Sequence, residues 1–128
     1  MDVAELKERL GMQPGRRYRI HPDTGVVERR GVWRWKRTDR RVHPDTGIIQ
    51  EAGVLGWKDT EFSIDPESGV VEIDRFLTGD AETDVRIDPG TGIIQVRGTF
   101  GWKATKERFE PATGRYQVRG WWRWKDGR

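Results

Sequence analysis

The chain of 128 residues has no cysteine, which excludes disulfide staples and thiolate metal sites. Only 34% of it is hydrophobic, and no apolar run approaches the roughly 20 residues of a membrane-spanning helix. No membrane partner is therefore expected. The amino terminus, Met1-Asp2-Val3-Ala4-Glu5, carries acids where a secretory signal would be basic, so the expected location is cytoplasmic. Serine is scarce: Ser63 and Ser68 stand alone, and neither lies in a Gly-x-Ser-x-Gly elbow. The 2 histidines form no paired-His helix motif, and there is no phosphate-loop pattern. Carboxylate pairs follow simply from the abundance of acids in the middle of the chain. With no catalytic constellation, the chain is expected not to be an enzyme and to need no cofactor.

What is present is a repeat. Pro-x-[Thr/Ser]-Gly occurs five times, at Pro22–Gly25, Pro44–Gly47, Pro66–Gly69, Pro89–Gly92 and Pro111–Gly114. The prolines are 22, 22, 23 and 22 residues apart, the signature of one supersecondary unit copied in tandem. Proline fixes its own φ near −65°, as an early turn position requires, and glycine can take the left-handed conformation that closes a hairpin loop. A β-branched pair follows in four copies: Val26-Val27, Ile48-Ile49, Val70-Val71 and Ile93-Ile94, with Arg115-Tyr116 in the fifth. Such pairs suit a pleated, half-buried surface. A second glycine comes next (Gly31, Gly53, Gly98, Gly120), replaced by Arg75 in the third copy. Then an apolar residue (Trp33, Leu55, Leu77, Phe100, Trp122) stands two before Trp35, Trp57, Gly79, Trp102 or Trp124, the period of a strand. Segments such as Gly31–Lys36 are read as the third strand of a copy. The extra residue of the third copy is expected in a longer loop around Gly79 to Thr83.

The fold expected is all-β: five tandem hairpin repeats, about 17–38, 39–60, 61–82, 83–105 and 106–128, forming one domain over residues 16–128. Residues 1–15 are a helix and linker. Asp2 is a capping residue with Glu5 three positions on, Val3, Leu6 and Leu10 make one apolar stripe, and Gly11 is a stop. A helix this short is marginal alone and should dock on the sheet. In a β-solenoid, equivalent residues would stack about 4.8 Å apart. Ladders such as Lys36–Lys58 and Asp65–Asp88 would then cost about 0.9 kcal/mol per pair even in water. An antiparallel meander curling toward a barrel avoids this, with each third strand bending near Thr38, Thr60 or Thr105 into the next copy; a solenoid is the alternative.

The net charge of +3 is unevenly spread: −1 over residues 1–15, +6 over 16–40, −8 over 41–85 and +6 over 86–128. If the sheet closes, copies one and five become neighbours. Their Arg30, Arg34, Lys36, Arg119, Arg123 and Lys125 then form a basic field interleaved with Trp33, Trp35, Trp121, Trp122 and Trp124, of which Trp33 and Trp121 are the expected contacts. Cations with aromatics suit phosphates and stacked bases, and equally acidic polysaccharide. In an open array the same charges favour self-assembly instead. Repeated apolar positions usually mark the packed side, so Trp35, Trp57, Trp102 and Trp124 are expected in the core. Trp33 and Trp122, with Leu55 and Phe100, belong to the same face, and Arg34 and Arg123 to the solvated one. Trp121 breaks the pattern, standing where other copies have Val32, Val54, Phe76 and Thr99, and is the expected contact residue. The position before the turn proline holds His21, His43, Asp65, Asp88 and Glu110; all are metal-ligand types, but turn capping explains them better, and no metal is expected. The expected function is non-enzymatic binding of an anionic polymer such as nucleic acid or acidic polysaccharide; the alternative is a structural or homo-oligomerising repeat protein.

Overall fold

The computed structural model describes residues 1–75 and 77–128. One short helix, α1 (Val3–Arg9), precedes eleven strands: β1 (Tyr18–Ile20), β2 (Val26–Arg30), β3 (Trp35–Val42), β4 (Ile48–Gly53), β5 (Gly56–Ile64), β6 (Val70–Arg75), β7 (Gly79–Ile87), β8 (Ile93–Gly98), β9 (Gly101–Phe109), β10 (Tyr116–Arg119) and β11 (Trp124–Asp126). Every strand pairs antiparallel with its sequence neighbour, in one sheet ordered β1 to β11. The meander is the arrangement formed, not the stacked solenoid.

Each Pro-x-[Thr/Ser]-Gly segment is a hairpin turn. Its glycine sits at φ between 71° and 74°, and its N–H donates to the carbonyl four residues back at 2.7–2.8 Å. The same glycine touches the next copy. The carbonyls of Gly25, Gly47, Gly69 and Gly92 accept from the N–H of Val42, Ile64, Ile87 and Phe109 at 2.8–2.9 Å. A Cβ on Gly25 would lie 1.7 Å from the Val42 carbonyl oxygen, so no larger residue fits.

The fifth such bond closes the ring. Ile20 N–H donates to the Gly114 carbonyl at 2.8 Å, and Arg19 bridges Arg115 as Arg41 pairs with Val26. At the other end β11 pairs with β10 (Arg119↔Trp124, Gln117↔Asp126) in the register that β3 holds on β2 (Arg30↔Trp35, Glu28↔Arg37). The carboxy-terminal β11 and the amino-terminal β1 thus share the role that one continuous long strand (β3, β5, β7, β9) plays elsewhere. The five turns gather at the closed end of a curled, barrel-like sheet, and the tips of the second set of hairpins lie at the other.

The long strands bend where expected. The Thr38, Thr60 and Thr105 hydroxyls donate to the carbonyls of Val27, Ile49 and Ile94 at 2.6–2.7 Å and accept from the N–H two residues on at 3.2–3.3 Å. The strand register shifts across this point in β2–β3, β4–β5 and β8–β9. Threonine therefore supplies the hydrogen bonds that the bulge removes.

α1 fills the middle. Asp2 caps it, accepting from the Glu5 N–H at 2.8 Å, and Gly11 follows at φ 75°. Leu6 and Leu10 are fully buried in one cluster with Tyr18, Val27, Ile49, Phe62, Val71, Val85, Ile94, Phe109 and Tyr116, drawn from all five copies. Burying each leucine contributes about 1.5–3 kcal/mol. Lys7 donates to Glu107 at 2.8 Å and to the Tyr116 hydroxyl at 3.2 Å, and that hydroxyl donates to the same carboxylate. Burial works against the Lys7 charge, but the bonds to Glu107 and Tyr116 outweigh it and raise its pKa above the ordinary 10.5. Burial, then the Glu107 bond, pushes Tyr116 up to about 12.

Several expectations are corrected. Trp35, Trp57, Trp102 and Trp124 are half-buried and absent from the core cluster. They lie on the outer face, because the core side of a copy is already filled by the second residue of its β-branched pair. Trp33, Trp122, Leu55 and Phe100 are not on a core face either; they stand in exposed tips. Residues 31–34 and 120–123 form turns, closed by Gly31 N–H on Arg34 O and Gly120 N–H on Arg123 O at 2.8 Å, so β3 and β11 begin only at Trp35 and Trp124. The extra residue of the third copy falls earlier than Gly79: Arg75 pairs with Gly79, leaving three positions between them, whereas Gly53 pairs with Gly56 and Gly98 with Gly101 across two. Phe76, aligned with Trp121 in the repeat, lies outside the described residues.

Candidate binding surface

The outer face carries a motif that recurs around the ring. The arginine three before the turn proline donates through Nε to the side chain opposite it: Arg19 to Glu28 (2.7 Å), Arg41 to Gln50 (2.6 Å), Arg86 to Gln95 (2.6 Å) and Arg108 to Gln117 (2.8 Å). The same guanidinium lies over the indole of its sector, at 4.9 Å for Trp35, 5.3 Å for Trp57, 5.4 Å for Trp102 and 4.7 Å for Trp124. These contacts make the tryptophans a structural layer whose rings already carry cations. They are not free stacking platforms.

The free aromatic surface is at the tips. All of the large apolar side chains that stand exposed among the described residues are there: Val32, Trp33, Val54, Leu55, Leu77, Phe100, Trp121 and Trp122. Trp121 is 86% exposed, as expected of it, and meets Trp122 edge to face with ring centres 6.0 Å apart. The exposed role of Leu55 and Phe100 was legible: Gly53-Val54-Leu55-Gly56 and Gly98-Thr99-Phe100-Gly101 bracket them with turn residues.

The Ile20–Gly114 bond and the Arg19–Arg115 bridge make copies one and five neighbours, and the proposed basic residues belong to these two copies. They do not share one face. Arg34 and Arg123 lie in the tips beside Trp33, Trp121 and Trp122. Arg30 and Arg119 are on the outer face over Trp35 and Trp124, at 5.7 and 5.8 Å. Lys36 and Lys125 are on the inner face, directly opposite Arg29 and Val118. Two residues that the expectation omitted, Arg17 and Arg115, line a recess at the seam with Arg30, Trp35 and Asp126. The signal for Arg115 was present, since it replaces the first member of the β-branched pair.

Across the ring, copy three is the acidic pole. It has Ser63 where the others have arginine, and Asp80, opposite Asp74, in the register where Trp57 stands opposite Ala52 and Trp102 opposite Arg97; its strands also set Glu72 opposite Glu82. Burial and the neighbouring Asp65, with Asp80 and Glu82, raise the Glu72 pKa above the ordinary 4.5. Asp65 is lowered, because it accepts the N–H groups of Glu67 and Ser68.

The residues before the turn prolines cap those turns. His21 Nδ1 accepts from the N–H of Asp23 and Thr24 (3.1 and 3.3 Å), His43 Nδ1 from Asp45 and Thr46 (3.1 and 3.2 Å), and Asp88 from Gly90 (3.0 Å). Among the described residues no group of three or more His, Cys, Asp or Glu is arranged to hold a metal ion. No described helix is long and apolar enough to cross a membrane. Comparison with protein-family models, with curated proteins and with solved structures finds no match, so the functional reading rests on this geometry alone.

Proposed function

We propose that the protein is a non-enzymatic binding module that holds an anionic polymer, nucleic acid or acidic polysaccharide, across the neighbouring tips of copies one and five. The observation that carries this reading is the closure of the ring through Ile20 and Gly114, which joins two basic segments far apart in sequence, residues 16–40 and 86–128, each of net +6. Arg30, Arg34, Lys36, Arg119, Arg123 and Lys125 attract the polymer, and the exposed Trp33, Trp121 and Trp122 stack on its bases or sugar faces. Stacking contributes about 1–3 kcal/mol per base, and the charge contacts make affinity fall steeply with salt. Retention on heparin or on single-stranded DNA at low salt tests the reading. Trp121→Ala combined with Arg123→Ala should weaken binding at least about tenfold. Absence of retention on either matrix eliminates the proposal.

A second reading, self-assembly, is supported by the exposed Val54, Leu55, Leu77 and Phe100, which lie outside the basic sector, and by the acidic copy three facing away from it. A second copy could set its basic side against that acidic pole. A concentration-independent monomer in sedimentation counts against it.

A further inference from the structure

The seam between β11 and β1 differs from the other four sectors. There the outer-face position that holds Val26, Ile48, Val70 or Ile93 is Arg115. Its Nε is buried without a hydrogen-bond partner, the one such side-chain atom among the described residues. Its Nη1 reaches Asp126 Oδ2 at 3.5 Å, and its guanidinium lies 5.8 Å from the ring centre of Trp35. Because the long strand is broken here, with β11 ending at Asp126 and β1 beginning at Tyr18, a recess of about 130 Å³ remains, lined by Arg17, Arg30, Trp35, Arg115 and Asp126. Three arginines and one carboxylate are among the lining residues. The Arg115 side chain is 43% exposed, so its outer guanidinium nitrogens, unlike the buried Nε, are open to the recess, and arginine forks match tetrahedral oxyanions.

We infer that the seam recess is an oxyanion site that holds one phosphate or sulfate group, with Arg115 at its floor and Arg17 and Arg30 beside it. The inference deepens the binding reading above and rests on it for the claim that the group belongs to a polymer. Within that reading, the recess anchors a single backbone phosphate or sulfate while the tips of copies one and five hold the flanking units. Asp126 limits the affinity of the recess and orients Arg115.

The test uses the full chain with inorganic phosphate or inorganic sulfate at low millimolar concentration, against chloride at equal ionic strength. Near-saturating anion should raise the melting temperature by at least about 3 °C. Arg115→Val, which restores the aliphatic residue of the equivalent positions and should fold, abolishes that shift. Asp126→Asn should tighten binding by about threefold or more. Phosphate acting alone identifies nucleic acid as the source of the group. Sulfate acting equally well admits sulfated polysaccharide, and single-stranded DNA and heparin then separate the two. With either polymer, Arg115→Val should lower affinity about tenfold and reduce the salt slope by about one. No shift beyond chloride, or an Arg115→Val protein that keeps the shift, overturns the inference. If the anions bind but neither polymer does, the polymer reading fails and the oxyanion site stands. If a polymer binds equally well to wild type and Arg115→Val, the claim that the recess anchors the polymer fails and the binding reading stands.

Discussion

At the scale of single residues, substitutions that break the repeat locate the special sectors. Ser63 replaces the arginine that elsewhere meets the side chain opposite it, and Glu72 is left among Asp65, Asp80 and Glu82. Its folded pKa is raised, so at neutral pH ionised Glu72 weakens the native state relative to the unfolded chain. Glu72→Gln, the residue present at Gln50, Gln95 and Gln117, should raise stability at pH 7 by about 0.5–1 kcal/mol. The gain should fade as pH falls through the raised folded pKa and be gone below the ordinary 4.5, where the carboxyl is neutral in both folded and unfolded chains. Urea unfolding at pH 7 and pH 3 measures both, and an equal gain at both pH values would contradict the electrostatic account.

At the scale of elements, α1 is held by two leucines and one polar triad. The folded pKa values of Tyr116 and Lys7 are both raised, so the stabilisation they give is complete below their unfolded values, 10.0 and 10.5. It is lost as pH rises through the folded ones. Wild-type stability should therefore decline between pH 10 and about 12, and Tyr116→Phe should show a shallower decline, retaining only the Lys7 part. Denaturant midpoints across that range would show it; parallel curves for the two proteins would refute it. The helix itself was readable from Asp2, Glu5, Leu6, Leu10 and Gly11. That it is enclosed by five copies was not readable, since an apolar stripe says that it packs but not against what.

At the scale of the whole molecule, closure is the decisive feature, and it hangs on few bonds. If Ile20 N–H on Gly114 O is equivalent to the other four, the Ile20 amide should exchange with solvent within about tenfold of Val42, Ile64, Ile87 and Phe109. Exchange at the rate of a frayed terminus would mean that the ring opens at its seam, and with it the basic sector and the recess.

The turns and the bends at Thr38, Thr60 and Thr105 were determined by sequence alone, because proline, glycine and β-branched residues act through local sterics; the meander was favoured over a solenoid only by the repulsion of like-charge ladders, and the sheet order decided it. The same local rules misplaced Trp35, Trp57, Trp102 and Trp124: a period of two says that residues share a face, not which face is inside. The inner face went to Val27, Ile49, Val71, Ile94 and Tyr116, which pack against Leu6 and Leu10 in one cluster. Only the tertiary structure decided that β11 and β1 complete one strand between them. That pairing joins residues about a hundred positions apart in sequence, and no local preference encodes it.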